Sequence, residues 1–164
     1  MKTINITLYK FDELDSTAQE KAIHHFFDIN VDHEWWDAIY EDAENIGLKI
    51  NEFDLDRAQN IRGEFMTLPI EVAQNIILTH GIMCETYKLA GAFIREYGLL
   101  VGICGDEKNE EATVNLETDF LHDLCAEYRI MLEEEYDYLT SEKAIIETII
   151  ASNYDFLVNG SVYL

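Results

Sequence analysis

Residues 116–139 read LETDFLHDLCAEYRIMLEEEYDYL and form the longest periodic stretch of the chain. Apolar residues recur there every three or four positions for about six turns, which places them on one face of an α-helix. They are Phe120, Leu121, Leu124, Tyr128, Met131, Leu132 and Tyr136. The stretch therefore predicts a long helix that buries one face in a hydrophobic core.

Caps, stops and helical spacing predict five shorter helices around the long one. They are residues 17–27, a helix that Asp32 caps and Gly47 stops, a helix from Pro69 to the residue before Gly81, residues 85–97, and a helix that Thr140 caps and that runs through Ile150. On the second of these helices, apolar residues at helical spacing predict one buried face, and Trp35 is predicted to lie on it. The polar run 106–111 predicts an exposed loop.

Strand patterns lie at the two ends of the chain and around residues 48–65. Alternating apolar residues predict a first strand at residues 3–9, a bulged strand from Leu48 and a return strand at residues 60–65. Asn159-Gly160 predicts a hairpin turn between strands at residues 154–158 and 161–164. We therefore expect an α+β fold in which a small antiparallel sheet packs against a layer of about five to six helices. The whole chain, residues 1–164, is expected to form a single domain.

The charge of the chain is strongly negative. It contains 33 Asp and Glu against 11 Lys and Arg, for a formal net charge of -22. Such a field repels nucleic acids and anionic membranes and attracts basic surfaces. Direct DNA or RNA binding is therefore not expected, whereas a partner protein with a basic patch is. The sequence leaves open whether the chain is a monomer or a homodimer.

The cysteines and the N-terminus indicate a cytoplasmic location. Cys84, Cys104 and Cys125 are odd in number and contain no C-x-x-C pair, which disfavours a disulfide framework and a zinc site. The first residues lack a signal-peptide core, and no apolar run reaches the ~20 residues of a membrane span. A soluble protein in a reducing compartment is expected.

Catalytic and cofactor motifs are missing from the sequence. No serine lies in a G-x-S-x-G pattern, and no Gly-Lys-Ser/Thr follows the glycines of residues 98–105. His24, His25 and His33 crowd one stretch with Asp28 and Asp32, but the paired Glu-x-x-His motif of a di-iron bundle does not recur. No catalytic residue, metal ligand or cofactor is assigned, and an enzyme is not expected. A small metal-dependent enzyme that uses this histidine region remains an alternative.

The acidic residues of the long helix are candidate partner-binding residues. Asp119, Asp123 and Glu127 recur at four-residue steps of ~6 Å along a helix axis. Duplex phosphates are ~3.4 Å apart per strand, so the two spacings are of the same order. A merely solvated helix face is the alternative for any single row. The same helix carries further candidates at Glu133, Glu134 and Asp137.

Trp36 is the one aromatic candidate. Trp35 and Trp36 stand between two acidic residues, and large aromatic side chains often anchor protein interfaces. Packing in the core is the main alternative for both tryptophans. Because Trp35 belongs to the predicted core stripe, Trp36 is the one of the two that would reach the surface.

Several segments resemble small acidic proteins encoded by bacteriophages and prophages. The resemblance covers residues 8–14, 28–32 and 35–37, continues through residues 53–57 and extends more weakly into residues 141–149. These stretches read LYKFDEL, DINVD, WWD, FDLDR and SEKAIIETI. Most proteins of this kind have no characterised function, so the resemblance transfers no functional residue.

The resemblance implies a setting in which small acidic proteins block host defences. We therefore expect an anti-CRISPR or anti-restriction inhibitor that acts as a DNA mimic and binds the basic nucleic-acid-binding surface of a defence nuclease or CRISPR effector. The main alternative is an intracellular interaction module, such as an antitoxin or a phage accessory factor, whose acidity only maintains solubility.

Overall fold

A computed structural model describes residues 5–102 and 107–163, and for residues 107–109 it describes the backbone alone. After a 3-10 turn at Phe11–Glu13, the elements are α1 Ser16–His25, α2 Asp37–Ile46, β1 Leu48–Asp54, β2 Asn60–Phe65, α3 Pro69–Thr79, α4 Glu85–Gly102, α5 Glu107–Leu139, α6 Glu142–Ala151, β3 Asp155–Phe156 and β4 Val162–Tyr163.

The predicted α+β class is confirmed, since the described residues contain six α-helices and short antiparallel strands. The strands form two sheets of two, in which β1 pairs with β2 and β3 pairs with β4. The chain divides into two compact units. Unit 1 comprises residues 1–35 and 135–164, and unit 2 comprises residues 36–134. The single-domain expectation stays a prediction.

Unit 2 is built around the first part of α5. The Phe120 ring stacks on Phe93 of α4 at 4.3 Å and on Phe65 of β2 at 5.7 Å between centroids. The surrounding core includes Ile46, Leu48, Val72, Ile76, Ala90, Leu124 and Tyr128. The long periodic stretch therefore buries one face, as its spacing predicts.

Local signals set the boundaries of several elements of unit 2. Gly47 ends α2 in the left-handed conformation at φ +94, and Pro69 occupies the first turn of α3. The predicted bulge in β1 is confirmed, because its pairing with β2 shifts between Ile50 and Glu52. Asn51 is the extra residue at that shift.

The predicted start of α2 is wrong. The helix begins at Asp37, five residues after Asp32, and the residues between them form turns. Trp35 therefore precedes the helix and does not join its stripe. Its indole packs on the Tyr136 ring of unit 1 at 5.6 Å, and this tertiary contact replaces helical continuation toward Asp32.

Unit 1 packs α1 against α6 and the β3–β4 pair. Its buried residues are Phe11, Leu14, Ala18, Ala22, Ile145, Ile149 and Phe156. Asp15 caps α1 by accepting a hydrogen bond from the Ala18 N–H at 2.8 Å. Ser141, and not Thr140, caps α6. The turn at Asn159-Gly160 joins β3 to β4 as predicted, although both strands are only two residues long.

The predicted N-terminal strand is not formed in residues 5–8. Tyr9 alone makes a bridge to Phe156, while Ile6 is 52% exposed. Without a buried face, alternation of apolar residues has no packing to stabilise it as a strand. Residues 3, 4 and 164 of the predicted strands lie outside the described residues.

Three other predicted boundaries also differ. Residues 107–111 of the predicted loop are helical, because α5 begins at Glu107. Acidic residues near a helix N-terminus interact favourably with the helix dipole, which explains why this polar run extends the helix. Residue 106 lies outside the described residues. Helix α1 ends earlier than predicted, at His25, and α4 continues to Gly102.

Gly160 provides a test of the packing in unit 1. It has a φ of +76, and a Cβ at this position would lie 2.1 Å from the Ala18 carbonyl oxygen. We expect Gly160→Ala to lower the free energy of unfolding by about 2 kcal/mol or more, since both the backbone and the contact become strained. A thermal unfolding curve recorded by circular dichroism measures this change.

Gly98→Ala is the matched control. A Cβ at Gly98 in α4 meets nothing within 4 Å, and alanine is favoured over glycine inside a helix by about 1 kcal/mol. This variant should melt at or above the wild-type temperature. A Gly160→Ala protein that melts like Gly98→Ala would contradict the packing of Gly160 on α1.

Candidate functional site

Four carboxylates of unit 2 lie along one side of α5. We call Asp119, Asp123, Glu127 and Glu134 the acidic face of α5. With 3.6 residues per turn, they fall within roughly 80° around the axis and span about 22 Å along it. Asp119, Asp123 and Glu134 are exposed, whereas Glu127 is half-buried.

Core packing fixes the direction of this face. Phe120, Leu124 and Tyr128 each follow one of the first three acidic residues, and all three are buried. Consecutive helix positions differ by about 100° around the axis, so burial of one row turns the other toward solvent. The hydrophobic core therefore holds the row of carboxylates in place.

The carboxylates of the acidic face have few oppositely charged partners. Among the described side chains, no lysine or arginine forms an ion pair with Asp119, Glu127 or Glu134, and Asp123 contacts only the His122 ring, at 3.3 Å. Like charges four residues apart on a helix destabilise it by ~0.2–0.5 kcal/mol per pair. The arrangement thus has a cost that no neighbouring cation of the described part of the chain offsets.

The other predicted partner-binding residues are placed differently. Glu133 forms an ion pair with Arg129 at 2.7 Å, so its charge is locally neutralised. Asp137 is exposed on α5 but belongs to unit 1. Trp36 precedes α2 and is half-buried, with its ring edge against Phe53 at 5.6 Å. The structure gathers the acidic face on one helix and leaves Trp36 on another element.

A second acidic row lies on α2, and the sequence reasoning missed it. Asp37, Glu41 and Glu44 are exposed and fall within roughly 60° around the helix axis. No described lysine or arginine forms an ion pair with them. These residues are four and three positions apart in the sequence. For a helix that begins at Asp37, this spacing predicts the row.

A partly buried polar network joins α2, α5, the connection between α3 and α4, and the start of α4, with the Asp42 side chain 42% exposed. The Tyr128 hydroxyl donates to Asp42 Oδ2 at 2.7 Å, and Asp42 Oδ1 lies 3.6 Å from His80 Nε2. The other ring nitrogen of His80 is hydrogen-bonded to Thr86 Oγ1 at 2.7 Å. We call these four residues the Asp42 network. The buried His80 Nε2 has no hydrogen-bond partner among the described atoms.

The Asp42 network is arranged for structure and not for nucleophilic chemistry. It contains a hydroxyl, an imidazole and a carboxylate, but Thr86 is only 5% exposed. A substrate therefore has no access to that hydroxyl. Burial and the Asp42 carboxylate raise the pKa of Tyr128 well above its usual range, which keeps the phenol protonated as a donor.

The predicted histidine cluster does not assemble into a metal-binding group. His33 Nδ1 lies 3.3 Å from Asp32 Oδ1, and His25 packs its ring on Phe26 at 5.0 Å. Within residues 5–102 and 107–163, no group of three or more His, Cys, Asp or Glu side chains is placed to hold a metal ion.

Comparisons with protein-family models, with curated proteins and with solved structures found no match, so no enzyme family or fold was detected. Among the helices of the described residues, none is both long and apolar enough to cross a membrane.

Tyr128→Phe tests the Asp42 network through pH. Above pH ~10 an unfolded tyrosine ionises, whereas folded Tyr128 keeps its proton because its pKa is raised. The wild-type free energy of unfolding should therefore fall with rising pH by up to about 1.4 kcal/mol per unit from this group. Urea unfolding at pH 9, 10 and 11 should show a shallower fall for Tyr128→Phe.

At neutral pH the same variant should lose about 0.5–1.5 kcal/mol, because the hydrogen bond to Asp42 is lost while water can still reach the partly exposed carboxylate. Tyr138→Phe is the control, since Tyr138 is 54% exposed. Equal pH slopes for Tyr128→Phe and wild type would contradict a protonated Tyr128.

Proposed function

We propose that this chain is an inhibitor that occupies the basic nucleic-acid-binding surface of a partner protein. The acidic face of α5 is the observation that carries this proposal. It combines carboxylates that no described lysine or arginine pairs with, a direction fixed by the core and a length of about 22 Å. The resemblance to phage proteins suggests the partner class, a bacterial defence nuclease or CRISPR effector, and hence an anti-CRISPR or anti-restriction role.

The spacing of the carboxylates supports contact with a phosphate-binding surface. Steps of four residues place Asp119, Asp123 and Glu127 at intervals of ~6 Å. Every second phosphate of one duplex strand recurs at about 7 Å along the axis. Arginine and lysine side chains arranged for such phosphates are flexible enough to meet carboxylates at this interval.

The acidic row of α2 gives unit 2 a second stretch of exposed negative charge. Helices α2 and α5 are linked by the hydrogen bond between Tyr128 and Asp42, so both rows belong to one packed unit. Complementary potentials of this kind increase association rates with a basic partner and make binding sensitive to salt.

The energetic cost of the acidic face also favours a role in binding. Repeated like charges on one helix lower its stability, and replacing them with amides would relieve the repulsion. Solubility alone requires negative charge but no particular row. Sites that lower stability while they serve binding are common in proteins.

An interaction module, such as an antitoxin or a phage accessory factor, is the second candidate function. An exposed apolar segment favours it: Leu78, Ile82 and Met83 at the end of α3 and the following turn are 81%, 70% and 82% exposed. Such side chains are common anchors in specific protein interfaces. A module of this type would bind by apolar burial and would resist salt.

A four-site variant of the acidic face tests the leading proposal. Asp119→Asn, Asp123→Asn, Glu127→Gln and Glu134→Gln together should raise the free energy of unfolding at low salt by about 1 kcal/mol. The same variant should lose at least ten-fold in affinity for the basic partner. Denaturation curves and pull-down from a bacterial lysate, followed by titration of the recovered partner, measure the two effects.

A variant of unit 1 with the same change in net charge is the control. Asp12, Glu20, Asp28 and Glu34 are exposed, and their amide replacement leaves the acidic face intact. This control should retain most of the binding. If both variants lose binding equally, the overall charge and not the acidic face of α5 is responsible.

Salt dependence separates the two candidate functions. Charge-based binding should weaken steeply between low and high salt, because screening shortens the range of electrostatic attraction to about 3 Å at 1 M. A partner that remains bound at high salt, and that Met83→Glu releases, would favour the interaction module.

A further inference from the structure

A cleft of about 560 Å³ lies in unit 2 between β2 and α5. Its volume is within the range of roughly 300–1,000 Å³ that is typical of small-molecule sites. Two contacts show how β2 runs relative to α5 here: Phe65 stacks on Phe120, and Gly63 packs on Cys125. Strand β2 therefore runs antiparallel to α5 along the cleft.

Close packing forms the floor of the cleft. A Cβ on Gly63 would lie 2.9 Å from Cys125 Sγ and 3.0 Å from the Lys49 carbonyl oxygen. Glycine is thus required for this approach of the strand to the helix. Ile61 and Leu121 add apolar surface to the lining.

The cleft is poor in carboxylates for so acidic a chain. Arg129 and His122 of α5 line it, and Arg62 of β2 also borders it, although the Arg62 side chain is 74% exposed and lies on the strand face opposite Gly63. Glu64 is the one carboxylate among the lining residues of the described chain. With a net charge of -22 on the protein, this composition differs from that of the rest of the surface.

Each arginine contacts a carboxylate that does not line the cleft. Arg62 Nε lies 3.1 Å from Glu52, and Arg129 Nη1 lies 2.7 Å from Glu133. A guanidinium has five N–H donors, so one such contact occupies a single nitrogen of Arg129 and leaves further donors for a ligand. The Arg129 side chain is only 25% exposed, which strengthens its electrostatic interactions relative to those in water.

Backbone irregularities bring polar side chains to the same cleft. Asn51, the extra residue of the bulge in β1, is part of the lining. Gln59 also lines the cleft and has a φ of +45, an uncommon conformation for a residue other than glycine. Bulges and strained residues often direct side chains at binding sites.

We propose that this cleft binds a small molecule that carries a phosphate or carboxylate group. Arg129 holds the anionic oxygens, the amides of Asn51 and Gln59 hydrogen-bond the polar body, and the apolar floor contacts the remainder. The proposal is independent of the acidic face of α5, since it uses none of those four residues.

Calorimetric titration of the full chain with adenosine monophosphate, inorganic phosphate and citrate tests the proposal. We expect saturable binding of at least one probe, and the pattern distinguishes phosphate from carboxylate recognition. Arg129→Gln should weaken that binding at least ten-fold. The absence of binding of all three probes at about 10 mM, a concentration that detects even millimolar affinity, would overturn the site.

Glu133→Gln is expected to change affinity in the opposite direction from Arg129→Gln. It frees an N–H donor of Arg129 and removes a competing carboxylate, so the variant should bind the probe at least as tightly as the wild type does. Arg95→Gln and Glu71→Gln change net charge by the same amounts outside the cleft and should leave affinity unchanged within two-fold. Circular dichroism confirms that each variant is folded.

Two results would contradict the role of Arg129. In the first, Arg129→Gln and Arg95→Gln bind equally well. In the second, Glu133→Gln weakens binding as much as Arg129→Gln does, which would assign the ion pair a purely structural role.

Discussion

The burial of one row of α5 is the constraint on which unit 2 depends. Phe120, Leu124 and Tyr128 occupy the core, and the Tyr128 hydroxyl enters it only because Asp42 accepts its proton in a hydrogen bond. An unpaired buried hydroxyl would cost about 1–3 kcal/mol. This hydrogen bond links α2 to α5 within the unit. The burial of the whole row determines which side of α5 is left for charged residues.

Packing outweighs repulsion on this helix. Full burial of a large apolar side chain contributes roughly 1.5–3 kcal/mol, whereas each exposed like-charge pair costs ~0.2–0.5 kcal/mol. The free energy gained by burying three side chains of α5 therefore exceeds the repulsion within the acidic face several-fold. The fold tolerates its negative charge because the carboxylates stand on elements whose opposite sides are well packed. Charge can then be placed for binding without loss of the helix.

The sequence predicts those features of the fold that depend on neighbouring residues. The period of α5, the stop at Gly47 and the bulge near Asn51 were all readable, because each is determined within a few positions. Long-range contacts were not. Trp35 packs on Tyr136 and is not part of α2, and the hydrogen bond between Tyr128 and Asp42 joins residues 86 positions apart. Neither contact produces a periodic pattern in the sequence.

The same limit applies to the candidate sites. The acidic row of α5 follows from helical spacing, but the cleft that Arg129 lines exists only because β2 packs against α5. Net charge gives no indication of such a cleft, since it averages over the whole surface. At physiological ionic strength exposed charges are screened beyond about 8 Å. A chain with an acidic exterior therefore retains local environments of the opposite character, and α5 carries both on different sides of one helix.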